Sequence, residues 1–389
     1  MQILIAVGSM HPSQGGPPVV VAGHAAILCE LGHDVTVVTT SLESQKSETV
    51  EAWPQLSGVE FLQFHRDKPY TLGASKALKG YLAENIKKFD VVHLHGVWEQ
   101  CLTHVGQSAL RHSIPYVLAP HGMFDHYSMV QSRAKKWIAR YLFGAQSMFR
   151  NVSSVQFGTK DERDEAKALN IPWQTCIIRN GVPESIFVEK TSVIDLESMF
   201  PLLKGADPLL AFFSRMHYKK GIDILLEAFS RVAQDFPTAK CLIAALAQDV
   251  DYEAQIRQRA AQSDLAESVV VTTELTGARG QGVLLAADIF VLPSRQEGFS
   301  MAIIEAMANR LPVLITDQCH MDFVSEIEAG VVVGDNVDSV EDGLRKLLTM
   351  DAAQHRQQGE RGRQWVQGNC TWQSIGKQLE SLYLSLLRA

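Results

Sequence analysis

The chain has 389 residues, with a hydrophobic fraction of 46%, a charged fraction of 20% and a net charge of -7. Because a single hydrophobic core stops growing at about 250–300 residues, this length predicts two domains. The ordinary composition excludes disordered, collagen-like and coiled-coil proteins. The acidic balance argues against a general nucleic-acid-binding protein, since there is no excess of cations to neutralise phosphates.

The cysteine pattern and the N-terminus predict an intracellular protein. The six cysteines are scattered without a CxxC pair, which favours reduced thiols and no cysteine metal site. The first residues, MQILIAVGS, lack the basic start and long apolar run of a signal peptide. No stretch reaches the roughly 18 consecutive apolar residues that a membrane-spanning helix needs. We therefore expect a cytoplasmic location, with at most peripheral contact at the inner face of a membrane.

Short apolar runs alternate with longer amphipathic segments in the first half of the chain. This pattern is typical of βα units that build a parallel sheet beneath helices. It predicts strands at 3–7, 34–39, 59–62, 91–94, 116–119, 154–157 and 176–178. The periodicity then weakens over 178–208, where Asn180 and Gly181 form a turn signal, so this segment is the predicted linker.

The same alternation returns in the second half of the chain. It predicts strands at 209–214, 241–247, 269–274, 288–294, 311–316 and 329–334, and a helix at 222–236. A final amphipathic helix at 372–388 has no strand after it. The predicted fold is therefore α/β, with two doubly wound Rossmann-like domains at 1–182 and 207–368. The C-terminal helix, 369–389, is expected to pack back on the first domain.

Ligands bind at the carboxyl ends of parallel strands, so the loops after strands are the candidate sites. In RQEGFSMAIIEAM, Glu297 precedes a helix that should begin near Ser300, and Glu305 lies inside that helix. The first amide groups of such a helix can bind a phosphate, and carboxylates accept hydrogen bonds from vicinal hydroxyls. The alternative is that Glu297 only complements the helix dipole and Glu305 is simply exposed.

A basic loop follows the predicted strand at 209–214. Arg215 stands at its start, and Lys220 and Gly221 stand at the mouth of the next helix. Two long cations in this position could neutralise a diphosphate and stabilise it as a leaving group. A solvated basic loop is the alternative.

Glycines and histidines follow strands in the first half. Gly15 and Gly16 would let backbone N–H groups approach an anion, or form a flexible turn. His93 and His95 are expected on alternate faces of their strand, so we expect no shared metal site there. His121 would face a crevice, or be a hydrogen-bonded structural histidine.

Two further segments carry charge. The segment from Arg133 to Arg150 is basic and has apolar residues at helical spacing, so it could lie on an anionic bilayer or near a lipid-diphosphate acceptor. A solvated charged face over a core stripe explains it equally well. Asp249 and Asp251 look like a metal-nucleotide DxD motif, but we expect them to open a helix.

Together these segments resemble the retaining glycosyltransferases of family 4, which have the GT-B fold. The resemblance covers nearly the whole chain, and its most specific element is the E-x7-E pattern from Glu297 to Glu305. Its other segments are Gly15-Gly16-Pro17, AILCELGHDVTVVTT, HLHGVW, APHGMF, IRNGVP, SRMHYKKG, DIFVLPSRQEGFSMAIIEAMA and AGVVV. The resemblance implies that the domains face each other across a cleft, the second holding a nucleotide-sugar and the first most of the acceptor.

The resemblance also implies roles for individual residues. Arg215 and Lys220 are expected to bind the diphosphate, Glu297 the donor sugar, Glu305 the ribose, and His121 the transferred sugar. The remaining donor-binding residues implied are Gly15, Gly16, Leu275, Thr276, Gly298, Phe299, Ser300 and Met301. The implied acceptor-binding residues are His95, Trp98 and Tyr127. Two departures from the family pattern are Thr273, where many relatives carry glycine, and the paired Pro17 and Pro18.

The family mechanism is retaining and uses no metal or other cofactor. In it the acceptor hydroxyl attacks the face from which the diphosphate leaves, and the leaving phosphate takes the proton. The leading hypothesis is transfer of a hexose, glucose above all, from a UDP-sugar to a saccharide or lipid-linked saccharide acceptor in exopolysaccharide or cell-envelope synthesis. A nucleotide-sugar epimerase of the same architecture and a non-catalytic sugar-binding protein are the alternatives.

Overall fold

The computed structural model describes residues 1–42, 52–124, 129, 144–188, 194–275 and 277–388. The chain forms two compact units, one of Met1–Gly181 with Trp372–Ala389 and the other of Val182–Thr371. The sequence predicted domain bounds of 1–182 and 207–368 with a separate C-terminal helix. In the structure, the residues between those predicted domains belong to the second unit.

The first unit is built on a seven-stranded parallel sheet in the order β3-β2-β1-β4-β5-β6-β7. In chain order its strands are Gln2–Val7, Asp34–Ser41, Glu60–His65, Val91–His95, Tyr116–Ala119, Ser154–Phe157 and Thr175–Ile177. Strands β4, β5 and β6 are buried along their whole length. Their continuous apolar character therefore reflects a sheet covered on both faces.

Helices connect these strands and cover the sheet. The α-helices that the structure describes in the first unit are Gly16–Glu30, Lys76–Asn85, Gln100–Arg111, Ala145–Arg150, Lys160–Ala166 and Trp372–Arg388. The described 3-10 helices of this unit are Pro12–Gln14, Pro54–Leu56, Tyr70–Leu72, Ile86–Lys88 and Lys167–Leu169.

The second unit is built on a six-stranded parallel sheet in the order β10-β9-β8-β11-β12-β13. Its strands, β8 to β13, are Leu209–Arg215, Lys240–Leu246, Val269–Thr272, Ile289–Leu292, Val313–Thr316 and Gly330–Val333. The predicted fold class, two parallel-sheet α/β domains, is thus confirmed.

The second unit is also rich in helices. Its α-helices are Leu196–Met199, Ile222–Val232, Val250–Ala260, Gly277–Ala286, Met301–Ala308, Phe323–Glu326, Val337–Leu348 and Ala352–Asn369. Its 3-10 helices are Glu184–Phe187, Pro201–Leu203, Tyr218–Lys220 and Asp317–Cys319. The helix predicted at 222–236 ends at Val232, because the chain turns there ahead of Pro237.

Each sheet has one position where the order of its strands reverses. In the first unit the chain moves outward from β1 to β3 and returns to place β4 beside β1. In the second unit β8, β9 and β10 extend one way and β11, β12 and β13 the other. Loops after the two central strands diverge at such a switch point and leave a crevice, which is where open α/β sheets bind ligands.

The C-terminal helix Trp372–Arg388 packs on the first helix of the same unit. Its Gly376 lies so close to that helix that a Cβ added there would be 2.7 Å from a side-chain carbon of Ile27. His33 Nε2 and Glu380 Oε1 are 3.0 Å apart, and Leu379 is fully buried. None of the described helices combines the length and apolar character needed to span a bilayer.

Substitution of Leu379 tests how much the C-terminal helix contributes to the stability of the first unit. Leu379→Ala removes a fully buried side chain, which costs about 2–5 kcal/mol, so the thermal unfolding midpoint of that unit should fall by roughly 5–15 °C in scanning calorimetry. Leu384→Ala, at a 38% exposed position of the same helix, is the control and should shift it by less than about 2 °C. Equal shifts would contradict this packing.

Candidate active site

The switch point of the second unit brings together two loops that are far apart in sequence. Strands β8 and β11 pair directly, and Arg215 is the last residue of β8. The loop after β8 contains Lys220, and the loop after β11 contains Glu297. The two candidate motifs identified in the sequence therefore meet at one edge of one sheet.

Lys220 and Glu297 form a buried ion pair. Lys220 Nζ lies 2.5 Å from Glu297 Oε1, and the two side chains are only 9% and 10% exposed. Ser294 Oγ donates a second hydrogen bond, of 2.8 Å, to the same carboxylate oxygen. Because a poorly solvated ammonium needs a nearby anion, this pair holds a cation in place at the carboxyl end of the sheet.

The backbones of the two loops pack tightly against each other. Gly221 has φ = 66°, and a Cβ added to it would lie 1.9 Å from the carbonyl oxygen of Pro293. Arg295 N donates to the carbonyl oxygen of Lys219 at 2.7 Å. Only glycine fits at position 221, and its absent side chain lets the loops approach until the Lys220–Glu297 contact forms.

Arg295 and Asp223 form a second link between the loops. The guanidinium of Arg295 donates to both carboxylate oxygens of Asp223, at 2.8 and 2.6 Å, and lies 3.9 Å from the ring centre of Tyr218. Burial alone would raise the pKa of Asp223, but hydrogen bonds from Arg295 and Tyr252 hold it below its usual range. The sequence analysis did not select these residues, although Arg295 stands within the predicted motif.

The helix Met301–Ala308 begins beside this pair. Ser300 is its N-cap residue and is 5% exposed, while Gly298, Phe299 and Met301 are partly exposed. The first amide groups of an α-helix lack partners within the helix, so this end suits an anion or a hydroxyl oxygen. The predicted start near Ser300 matches the structure within one residue.

Three other donor-site predictions have different surroundings. Glu305, in the middle of the same helix, accepts a 3.0 Å hydrogen bond from Gln281 Nε2. Arg215 donates from Nη1 to Gln248 Oε1 at 3.3 Å and is partly exposed. The side chain of Leu275 is 1% exposed and packs in the hydrophobic core, so only its backbone is placed to contact a ligand. Thr276 lies outside the described residues.

The glycine loop of the first unit follows β1. Gly15 has φ = 80°, and a Cβ added at Gly16 would meet none of the described residues within 4 Å. No described side chain therefore crowds the N-terminus of the helix Gly16–Glu30 at this position. The paired prolines, Pro17 and Pro18, occupy its first turn, where a missing N–H costs no helical hydrogen bond.

The expectation that His93 and His95 lie on alternate faces of β4 is wrong. Residues two apart in a strand share a face, and the two ring centres are 4.2 Å apart. His24, from the helix Gly16–Glu30, lies 5.2 Å from His95 between ring centres. His121, in a left-handed conformation with φ = 51°, contacts His95 through a 2.9 Å bond between Nε2 and Nδ1.

All four rings of this group have lowered pKa values. Burial, with a contribution from the charge His121 could carry, lowers the pKa of His24 to about 3, and burial lowers that of His121 to about 4. Burial and the neighbouring histidines also hold the pKa values of His93 and His95 well below the ordinary 6.5. The group is therefore neutral at physiological pH.

The other first-unit predictions are placed as follows. Trp98 is partly buried, and its ring packs edge-to-face on Phe124 and Phe149, at 6.1 and 5.9 Å between centres. Tyr127 lies outside the described residues, as does most of the basic segment from Arg133 to Arg150. Only the end of that segment, the helix Ala145–Arg150, is described.

Asp249 opens a helix, as the sequence predicted. It is the N-cap of the helix Val250–Ala260 and accepts a 3.0 Å hydrogen bond from the backbone N–H of Tyr252. The preference of Asp for the start of a helix explains both Asp249 and Asp251, as expected.

Family models match both units. The model described as Glycosyl transferases group 1 matches residues 195–365, and the model described as Glycosyltransferase Family 4 matches residues 14–185. The chain belongs to the family 4-like glycosyltransferases of the GT-B fold. The resemblance identified from the sequence is thus confirmed, and the switch-point loops of the second unit lie in the matched part of this glycosyltransferase.

Known proteins resemble this glycosyltransferase over nearly their whole length. A relative from Xanthomonas oryzae pv. oryzae, a GDP-mannose:cellobiosyl-diphosphopolyprenol alpha-mannosyltransferase, is 23% identical over 89% of this chain and 87% of its own. The structure of a sucrose-phosphate synthase from Thermosynechococcus elongatus has a TM-score of 0.78 and 20% identity, covering 100% of this chain and 99% of its own. HepE from Anabaena, in complex with UDP and glucose, has a TM-score of 0.80 and 15% identity, covering 99% and 100%. These two structures share the fold.

The sequence analysis missed a charged group at the switch point of the first unit of this glycosyltransferase. Glu99 follows β4, and Arg66 follows β3. Arg66 Nη2 donates to the Gly8 carbonyl oxygen at 2.8 Å and lies 3.5 Å from Glu99 Oε1. Burial raises the pKa of Glu99 more than the charge of Arg66 lowers it. Both Arg66 and Glu99 are charged residues that follow a predicted strand, and this position could have marked them as candidates.

Substitution of Gly221 tests the packing of the two loops. Gly221→Ala should lower the thermal midpoint of the second unit and weaken nucleotide binding, because both a clash with Pro293 and a positive φ oppose the added methyl group. Gly205→Ala is the matched control, since Gly205 has φ = 69° but open space around it. The control should show only the backbone cost of about 1–2 kcal/mol. Calorimetry of both variants decides the point, and equal effects would rule out the clash.

Proposed function

We propose that this protein transfers a hexose from a nucleoside-diphosphate hexose to a saccharide or lipid-linked saccharide, with retention at the anomeric carbon. The observation that carries the proposal is the buried Lys220–Glu297 pair at the switch point of the second unit. It places a cation for a diphosphate next to a carboxylate for a sugar, at the edge of the sheet where open α/β folds bind nucleotides.

The cations of the loop after β8 serve the leaving group. Lys220 is nearly enclosed, so its charge acts in a medium of low dielectric constant and stabilises developing negative charge more strongly than it would in water. Arg215, at the end of β8, supplies a planar set of donors suited to phosphate oxygens. In the proposed complex, Lys220 and Arg215 bind the two phosphates.

The carboxylates serve the hydroxyl groups of the donor. Glu297, beside the N-terminus of the helix Met301–Ala308, is proposed to accept hydrogen bonds from the sugar, together with the amides of Phe299 to Met301. Glu305 is proposed to bind the ribose from the same helix. Because Lys220 and Ser294 both bond to Glu297 Oε1, this carboxylate is a positioning group for the sugar rather than the nucleophile.

The transfer step needs no protein base in this scheme. The bond between the anomeric carbon and the β-phosphate oxygen breaks, and its electron pair goes to the nucleoside diphosphate. The acceptor oxygen forms a bond to the anomeric carbon on the same face, and its proton passes to the departing phosphate oxygen. No metal or other cofactor takes part in the proposed transfer.

The choice of donor and acceptor rests on the sequence and on relatives. UDP-glucose is the proposed donor, supported by the fold shared with HepE in complex with UDP and glucose. GDP-mannose is the competing donor, because the name of the Xanthomonas relative specifies it. A diphosphopolyprenol acceptor, as in that name, fits a protein that works at the cytoplasmic face of a membrane in surface polysaccharide synthesis.

A turnover assay with variants tests the donor site. Wild-type protein should release UDP from UDP-glucose in the presence of a lipid-diphosphate saccharide. Lys220→Ala and Arg215→Ala should each bind UDP about 10–100-fold more weakly than the wild type, as expected for a lost charge-assisted hydrogen bond. Lys204→Ala, at an exposed position, is the control. Full activity in both site variants would exclude this assignment, and an epimer formed without acceptor would identify an epimerase.

A second test concerns His121, which is proposed to contact the transferred sugar. His121→Ala should reduce turnover at least tenfold and leave UDP affinity within about twofold, because Arg215, Lys220 and Glu305, which are proposed to bind the diphosphate and the ribose, belong to the other unit. Since its pKa is about 4, His121 stays neutral from pH 5.5 to 8 and should cause no inflection in turnover there. His112→Ala, at an exposed position, is the control. A wild-type inflection near pH 6.5 that His121→Ala abolishes would contradict the neutral state.

A further inference from the structure

Three histidines meet inside the first unit. His93 and His95 come from β4, and His24 comes from the helix Gly16–Glu30 that covers it. One nitrogen of each ring can be chosen so that the three atoms all lie within 4.8 Å of one another. All three residues are at most 1% exposed. We refer to these residues as the histidine cluster.

Four ring nitrogens of the histidine cluster have no hydrogen-bond partner among the described residues. They are both ring nitrogens of His24 and the Nε2 atoms of His93 and His95. Buried polar atoms in folded proteins are nearly always bonded, and one unpartnered nitrogen would already be unusual. A neutral imidazole carries its lone pair on one of its two nitrogens, so the three rings can offer three lone pairs.

The Nδ1 atoms of His93 and His95 are bonded. His93 Nδ1 lies 2.7 Å from the hydroxyl oxygen of Tyr383, which is fully buried in the C-terminal helix. His95 Nδ1 lies 2.9 Å from His121 Nε2. If each Nδ1–H donates outward, each Nε2 carries its lone pair inward. Metal-binding histidines are held in the same way, with one nitrogen on the metal and the other bonded to a fixed acceptor.

We propose that His24, His93 and His95 form a binding site for a divalent transition-metal ion of the zinc type. Neutral imidazole suits zinc, cobalt, nickel and copper, whereas magnesium and calcium require oxygen ligands. With Zn–N bonds of about 2.0–2.1 Å, tetrahedral ligand nitrogens stand roughly 3.4 Å apart. Binding of the ion would therefore require the three ring nitrogens, which lie within 4.8 Å of one another, to move closer together.

The ion would have a structural role. It would join the helix Gly16–Glu30 to the central strand β4, and through Tyr383 it would fix the C-terminal helix. Through His95 it would also set the orientation of His121, without contacting substrate. This inference goes beyond the proposed transfer reaction, no step of which uses the ion.

Metal content of the untagged full-length chain tests the site. Protein expressed in zinc-supplemented medium should contain about one zinc per chain by plasma mass spectrometry. His24→Gln and His93→Gln should each contain less than about 0.2, whereas His112→Gln, at an exposed position, should match the wild type. Folded wild-type protein without bound metal, or variants that keep one equivalent, would overturn the proposal.

A spectroscopic measurement keeps the test independent of folding yield. Protein produced in cobalt-supplemented, zinc-depleted medium should show the visible absorption bands of four- or five-coordinate cobalt, and His93→Gln should lose them while its far-ultraviolet circular dichroism is unchanged. Unchanged cobalt bands in that variant would place the metal elsewhere. Neither readout depends on UDP-glucose turnover, so failure of the donor assignment would leave this result standing.

Discussion

The contact between Lys220 and Glu297 depends on the order of the strands in the second sheet. Because β8 and β11 are neighbours, two loops 77 residues apart in sequence leave the sheet side by side, and a single glycine lets them close to contact distance. An enclosed lysine must have an anion beside it. The strand order therefore brings the two loops next to each other, and the ion pair then fixes the position of the Lys220 ammonium group between them.

The sequence predicted the architecture because parallel sheets have a strong local signature. Strands covered on both faces must be apolar throughout, so β4, β5 and β11 stand out from the amphipathic helices between them. The cations and carboxylates of the second unit could also be predicted, since they follow strand ends within short, recognisable segments. These charged residues were thus predicted from their positions along the chain, without any knowledge of their contacts.

What the sequence could not supply was pairing between distant residues. The bond between Lys220 and Glu297, the link from Arg295 to Asp223, and the meeting of His24 with β4 all depend on which elements become neighbours. The faces of β4 were misjudged, although the two-residue period of a strand already puts His93 and His95 on one side. Leu275 shows another limit of the sequence. Its place in a motif does not reveal whether the leucine side chain points to a ligand or to the hydrophobic core, where the structure buries it.

The second unit is inserted within the first, and this arrangement constrains how the protein is made. Val182 N bonds to the carbonyl oxygen of Cys370 at 2.8 Å, so the two ends of the insertion lie next to each other. A chain emerging from the ribosome completes the entire second unit before the helix Trp372–Arg388 is synthesised. Until then His93 lacks its hydrogen-bond partner Tyr383, so this contact of β4 can form only after the inserted unit has been made.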